Sequence, residues 1–241
     1  STYTKTKRFI LNQYLLFREG DSISPQEMAD NERLLRQLPY IYDARITIVP
    51  VDSTYADVAI IVRESYPYGV NASVDELKAG MLRAFDRNFA GLGHELSLSM
   101  PYDFNEYSWP GFGVNYSVRN IARTFSDLEL GFSDGLGANC LRGQFDRDFV
   151  TSETKYAWSA SLSLTRTTED LDTMPAAVPL KFIRHDYWAA RSFMLDRKSV
   201  TRLIAGGRYI HNNVFARPEI DDFSYYRLQN YRQWTGSLSP V

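Results

Sequence analysis

The stretch Trp158-Ser159-Ala160-Ser161-Leu162-Ser163-Leu164-Thr165 decides the fold. Its apolar residues occupy every second position, and small hydroxyl side chains fill the positions between them. Because successive side chains of a β-strand point to opposite faces of the sheet, this period of two predicts a strand with one apolar and one polar face. A helix would group its apolar residues three and four positions apart.

The same alternation recurs along the chain before this stretch, with turn-like sequences rich in Gly, Pro, Asn and Asp in between. The clearest runs cover 94–100, 114–118 and 128–132. In weaker strand candidates neither face is cleanly apolar: 75–86, 138–147, 181–195 and 201–215. At roughly 15–20 residues for a strand and its turn, residues 70–241 supply about eight to ten antiparallel strands.

The composition is compatible with strands that cross a membrane. Aromatic residues make up 14% of the 241 residues, and charged residues make up 23%. No run of about 18 apolar residues is present, so a membrane-spanning helix is not expected. Strands of about 9–11 residues with an apolar and a polar face can cross a membrane as a barrel with aromatic girdles. The net charge of −2 provides no basic field, and we expect no nucleic-acid partner.

Two architectures share this strand pattern, a soluble β-sandwich and a membrane barrel. The hydroxyl-rich face also carries Asn, Arg and Glu, as a water-filled lumen would. Trp and Tyr lie near strand ends on the apolar face, where an interfacial girdle would place them. These two features favour the barrel.

Residues 4–66 have a different character. Thr6–Leu11 predicts a short strand and Asn12–Phe17 a short helix. Ser24-Pro25-Gln26-Glu27 has the N-cap serine, first-turn proline and following glutamate that begin a second helix. β-Branched residues predict two further strands over 45–49 and 57–63. The predicted order is strand, helix, helix, strand, strand.

Three segments resemble the Omp85 superfamily of outer-membrane barrel assembly and secretion proteins. Glu19-Gly20-Asp21, followed by residues 31–44 and a strand, resembles a POTRA domain, which has the same β-α-α-β-β order. Asn88-Phe89-Ala90-Gly91-Leu92-Gly93 resembles the turn between the first two barrel strands of that family. Asn120-Ile121-Ala122-Arg123-Thr124-Phe125 resembles the turn after the third strand.

The resemblance implies an α+β POTRA domain over residues 1–69, located in the periplasm. An all-β, antiparallel, transmembrane β-barrel in the bacterial outer membrane would follow over residues 70–241. The family barrel has sixteen strands, so we expect its amino-terminal part, a partial barrel. The family's Arg-Gly loop motif has no counterpart, since Arg142-Gly143 lies too early and is interpreted as strand.

Two strand edges are the candidate client-binding sites. An extended segment can satisfy the unpaired backbone N–H and C=O groups of an edge by adding itself to the sheet. The resemblance implies docking beside one POTRA strand, at Ile46, Thr47, Ile48 and Val49. It also implies a weakly paired seam between the first and last barrel strands. We place the first strand at 75–86, with candidate residues Lys78, Gly80 and Leu82.

Catalytic chemistry has little support in the sequence. His94, His185 and His211 are widely separated and fall in no metal-binding spacing. There is no Gly-x-Ser-x-Gly elbow and no glycine-rich phosphate loop. We therefore expect no enzyme, no metal and no cofactor.

These features predict an assembly factor that helps β-barrel proteins to fold and insert into the outer membrane. Its expected partners are unfolded outer-membrane proteins, accessory periplasmic or lipoprotein subunits, and outer-membrane lipid. Two alternatives stay open from the sequence. One is a pore that translocates a secreted partner protein, and the other is a soluble β-rich binding module.

Overall fold

The computed structural model describes residues 4–53, 55–150, 154–169, 178–196, 201–216 and 231–240. The amino-terminal unit holds helices α1 (Arg8–Gln13) and α2 (Pro25–Arg36) and strands β1 (Ile41–Pro50) and β2 (Ala56–Glu64). The strands that follow in the described residues are β3 (Tyr68–Glu76), β4 (Ala79–Phe89), β5 (His94–Asp103), β6 (Phe112–Val118), β7 (Ser126–Gly135), β8 (Ala138–Arg147), β9 (Tyr156–Glu169), β10 (Val178–Asp196), β11 (Thr201–Ala216) and β12 (Tyr231–Pro240).

Helix α2 begins where the capping sequence predicts. Ser24 is the N-cap, its Oγ accepts a hydrogen bond from the Glu27 N–H at 3.4 Å, and Pro25 occupies the first turn. The helix buries Leu34 and Leu35, and Leu35 packs in the unit's core. The two strands predicted after it are confirmed as parts of β1 and β2, which pair antiparallel.

The strand predicted over Thr6–Leu11 is wrong, because helix α1 covers most of that range. Ile10 and Tyr14 lie four residues apart, so one helical face carries both side chains into the core. Each of the two is only 6% exposed. The apolar period of four was the signal for a helix, and the short run of mixed residues obscured it.

The described part of the unit therefore runs helix, helix, strand, strand. The first strand of the predicted POTRA order is not found among the described residues. The POTRA domain, and the division of the chain after residue 69, stay predictions.

The ten strands from β3 to β12 form one antiparallel sheet in chain order. This arrangement is the continuous meander expected for part of a barrel, not two sheets packed face to face. The strands recognised by clean alternation are confirmed as β5, β6, β7 and β9, and the weaker candidates at 138–147, 181–195 and 201–215 as β8, β10 and β11.

The first strand of this sheet is not at 75–86. Residues 68–76 form β3, Leu77 and Lys78 make a tight turn, and β4 follows from Ala79. Val70, Ala72 and Val74 alternate with Asn71 and Ser73, which is a period-two signal that the prediction missed.

Candidate functional site

The sheet has two chemically different faces. In an antiparallel sheet directly opposed residues share a face, and the register places Leu98, Val114, Phe132, Leu141 and Leu164 in one continuous row. We call this the apolar face. Its large side chains are exposed: Leu98 by 53%, Leu141 by 57% and Leu162 by 47%. Among the described residues, no other element covers it.

The opposite, polar face is concave. It carries Ser97, Asn115, Glu129 and Arg142 on neighbouring strands, and these side chains help to line a cavity of about 410 Å³. Small hydroxyl residues of this face are the shielded ones, with Ser97 only 4% exposed. The sheet therefore turns its polar side inward, which is the arrangement of a barrel wall with a hydrated lumen.

Charged side chains on the polar face are paired across strands. Arg83 Nη2 lies 3.2 Å from Glu95 Oε1, and Arg142 Nη2 lies 2.7 Å from Glu129 Oε1. Further along the sheet, Arg208 contacts both carboxylate oxygens of Asp186, with Nε 2.8 Å from Oδ1. These pairs neutralise the inner wall locally.

The predicted docking edge on β1 is half covered. Arg36 Nη2 donates to the Ala44 carbonyl at 2.6 Å, and the Ile46 N–H donates to Glu32 Oε1 at 2.7 Å, so helix α2 occupies the start of the edge. The same Arg36 guanidinium holds the pKa of the Asp43 carboxyl below its ordinary value.

Beyond Ile46 this cover ends. Ile48 and Val49 are 41% and 47% exposed. Alternate residues of a strand direct their backbone groups to the same side, so Ile48 faces the same edge as Ala44 and Ile46. The stretch available for strand addition is therefore the second half of the predicted segment.

The predicted seam residues do not lie on an edge strand. Lys78 is in the turn, and Gly80 and Leu82 belong to β4, which pairs with β3 on one side and β5 on the other. The strand at that edge of the sheet is β3, and its Val70 and Val74 are 74% and 67% exposed. The other edge strand among the described residues is β12.

Two turns join the sheet to the amino-terminal unit, and both are built around a buried asparagine. Asn88 Oδ1 accepts from the Gly93 N–H at 2.8 Å and its Nδ2 donates to Thr6 Oγ1 at 3.0 Å. Asn120 Oδ1 accepts from the Phe125 N–H at 2.8 Å and its Nδ2 donates to the Gln13 carbonyl at 2.7 Å. Each amide thus closes its own turn and binds the segment that contains α1.

The backbones of these two turns need that support. Asn120, Ala122, Arg123 and Phe125 all have positive φ, a region that costs side-chain-bearing residues energy. Aspartates assist from the flanking strands, since Asp127 Oδ1 accepts from the Asn120 N–H at 2.8 Å. The sequence marked both turns through the family resemblance but gave no sign of the shared asparagine role.

Contact between the unit and the turns is close. Gly93 has φ +67°, and a Cβ added there would lie 2.5 Å from Tyr40 Oη. Tyr40 and Tyr14 belong to the buried core, and Phe125 packs against it from the sheet side. Burial raises the pKa of Tyr40 to about 12 and raises that of Tyr14 further, so both are uncharged at neutral pH.

No group of three or more His, Cys, Asp or Glu side chains within the described residues could hold a metal ion. In that same part of the chain, no helix is long and apolar enough to cross a membrane.

Comparison with known proteins gives a structural match but no sequence match. No family model matches the sequence, and no curated protein matches it. BamA from Haemophilus ducreyi, in a crystal structure lacking POTRA domains 1–3, is 10% identical with a TM-score of 0.51. CdiB from Acinetobacter baumannii is 12% identical with a TM-score of 0.53.

The first alignment covers 88% of this chain and 54% of BamA, and the second covers 98% of this chain and 47% of CdiB. The chain therefore spans about half the length of the structures that it matches. Both structures belong to Omp85 superfamily members. The resemblance to that superfamily is confirmed at the level of the fold, and at these identities the match shows the fold alone.

Proposed function

We propose that this chain is the amino-terminal part of an outer-membrane barrel protein that helps other β-barrel proteins to fold and insert. The observation that carries the proposal is the edge strand β3 of a sheet whose outer face is apolar and whose inner face is polar. A client strand would pair with the backbone of β3 and enter the membrane already hydrogen-bonded.

The pattern of β3 suits this task. Over residues 70–74, the exposed side chains on the apolar face of β3 are small or medium in size: Val70, Ala72 and Val74. Small side chains present few clashes to an incoming strand, and hydrogen bonds of the backbone are independent of client sequence. Strand addition at β3 would therefore accept many different clients.

The amino-terminal unit would act before the sheet does. Its place beside the turns at 88–93 and 120–125 puts it at one rim of the wall, which we assign to the periplasmic side. Clients, accessory periplasmic subunits or lipoproteins would add to β1 at Ile48 and Val49. Neither step needs a catalytic side chain or a cofactor.

Site-specific photo-crosslinking in the full-length protein tests the proposal. A photoreactive residue at Ala72 on β3 is expected to capture nascent outer-membrane proteins. The matched control is Leu82 on β4, which lies directly opposite Ala72 on the same face but inside the sheet. Equal capture at both positions would show that the edge has no special role.

A second function is favoured by the polar face, with its cavity and paired charges. A hydrated lumen of this kind suits a pore that translocates a secreted protein. A third photoreactive position at Ser161, on the polar face, separates the two. Crosslinks to a secreted protein at Ser161 and none at Ala72 would favour the pore over the assembly factor.

A further inference from the structure

Two cations face each other on the apolar face at the rim away from the amino-terminal unit, which we call the far rim. The register pairs Leu164 with Ile183 and then, two residues along, Arg166 with Lys181. Because positions two apart share a face, Arg166 and Lys181 continue the apolar row outward. Arg166 is exposed and Lys181 is half-buried.

This pair is electrostatically unfavourable by itself. Directly opposed residues of an antiparallel pair have Cβ atoms about 5 Å apart, and like charges in that position destabilise the sheet. The ion pairs of the described residues include neither side chain. The polar face is different, since Arg83, Arg142 and Arg208 each have a carboxylate partner there.

Among the described residues, the neighbours of the pair do not supply a compensating anion. Arg166 is flanked on its other side by Asn139, and the next residue in that row is Asp134. Two strand spacings separate Arg166 from Asp134, which is about 10 Å and too far for an ion pair. On the Lys181 side, the Nζ atom lies 6.0 Å from the centre of the Phe215 ring.

We propose that Arg166 and Lys181 bind the phosphate of a lipid headgroup at the far rim. The inference rests on the membrane location given under the proposed function. A phosphate between the two side chains would accept charge-assisted hydrogen bonds from both and remove their repulsion. Leu164 and Ile183 lie next along the face, where the acyl chains of the same lipid would pack, and Phe215 would lie at the level of the headgroup.

The ligand is a lipid and not a free phosphate, because the site combines two cations with an apolar surface. An isolated phosphate would gain only the charge contacts, and these would compete with water at an exposed rim. A lipid gains the apolar contacts as well. The bilayer also holds headgroup phosphates at high local concentration at this depth.

Native mass spectrometry of the full-length protein tests this site. The variants are R166Q, K181Q and the double variant, and R142Q on the polar face is a control that removes the same charge. The probes are diphosphoryl lipid A, the same lipid without phosphates, and inorganic phosphate. We expect the double variant to retain diphosphoryl lipid A about tenfold less than wild type, with R142Q unchanged.

Three outcomes would overturn the lipid site. They are equal retention by the double variant, equal retention of the dephosphorylated lipid by wild type, and displacement of the lipid by inorganic phosphate at matched concentration. Flotation of each protein with phospholipid vesicles distinguishes a failure of the lipid site from a failure of the proposed membrane location. If wild type fails to float, the membrane location itself fails. If wild type and variants float equally while lipid retention does not differ, only the site fails.

Discussion

The amino-terminal unit and the ten-stranded sheet bury opposite kinds of side chain. In the unit, Leu35 is 0% exposed and Tyr40 is 1% exposed, while charged residues lie outside. In the sheet, Ser97 and Ser159 are among the shielded residues, and Leu98 and Leu162 are about half exposed. The unit has an ordinary apolar core, whereas the sheet shields polar side chains and exposes apolar ones.

This difference indicates two different surroundings. Burial of apolar surface stabilises a region only if the alternative is contact with water. The unit follows that rule, as a region in contact with water does. The sheet leaves its apolar face without a covering layer in the described residues, and under the proposed membrane location lipid would take the place of a core there. The twin asparagine turns stand at the boundary between the two.

The largest expected effect contrasts one leucine from each region. Leu35→Ala removes a fully buried side chain and should destabilise the amino-terminal unit by about 2–5 kcal/mol. Leu162→Ala leaves its space to lipid and should cost well under half of that. Hydrogen exchange over residues 25–64 in the full-length, vesicle-bound protein measures the first, and urea unfolding of the barrel measures the second. Equal losses of stability in the two variants would show that the two leucines do not differ in their surroundings.

A charge placed on each face sharpens the same contrast within one strand. Leu162→Arg puts a cation into lipid near the middle of β9 and should cost about 2–4 kcal/mol. Ser161→Arg puts it into the hydrated lumen opposite Asp186, and should be close to neutral. Unfolding free energies in phospholipid vesicles are the readout. A penalty for Ser161→Arg as large as that for Leu162→Arg would argue against the lumen.

The boundary between the regions can be broken at the asparagines. Asn88→Ala or Asn120→Ala leaves buried backbone groups without partners, because the two residues are 3% and 1% exposed, and should cost about 1–3 kcal/mol each. The exposed Asn105, whose amide bonds to Glu76, provides the control substitution to alanine. Faster hydrogen exchange in residues 5–16, with the sheet unchanged, is the expected sign of a loosened unit.

A smaller effect is expected at the glycine that touches Tyr40. Gly93→Ala combines a positive φ with a Cβ that would meet the tyrosine hydroxyl, whereas Gly20→Ala has positive φ and open space. The strain common to both is about 1 kcal/mol, and the close contact should add to it only at Gly93. Thermal unfolding of the two variants isolates the contribution of the contact. Equal midpoints would show that Tyr40 moves aside freely.

The alternating strands could be predicted because consecutive residues of the sequence show directly which face of a strand is apolar and which is polar. The run from Trp158 to Thr165 is sufficient to assign β9 and both of its faces. The capping residues Ser24, Pro25 and Glu27 likewise fix the start of α2 through contacts within four residues. Local physics determined these features, so the sequence alone revealed them.

The features that escaped prediction depend on contacts between distant residues. The segment around Ile10 is helical because its apolar side chains meet a core formed by residues 35–44. Strand β3 carries a local period-two signal, but its place as the first strand of the sheet follows only from its pairing with β4. Asn120 bonds to Gln13, more than a hundred residues away in the chain. The missed first strand moved the candidate seam from Lys78, Gly80 and Leu82 to β3.

The most direct test of the account is the accessibility of neighbouring positions on β9 in the full-length protein reconstituted in phospholipid vesicles. Spin labels would be attached through single cysteines at Ser161, Leu162, Ser163 and Leu164, in a Cys140→Ser background. We predict that collisions with oxygen, which concentrates in lipid, dominate at Leu162 and Leu164, and that collisions with a water-soluble nickel chelate dominate at Ser161 and Ser163. Dominant nickel collisions at the two leucines, or no alternation along the four positions, would contradict a wall with lipid outside and water inside.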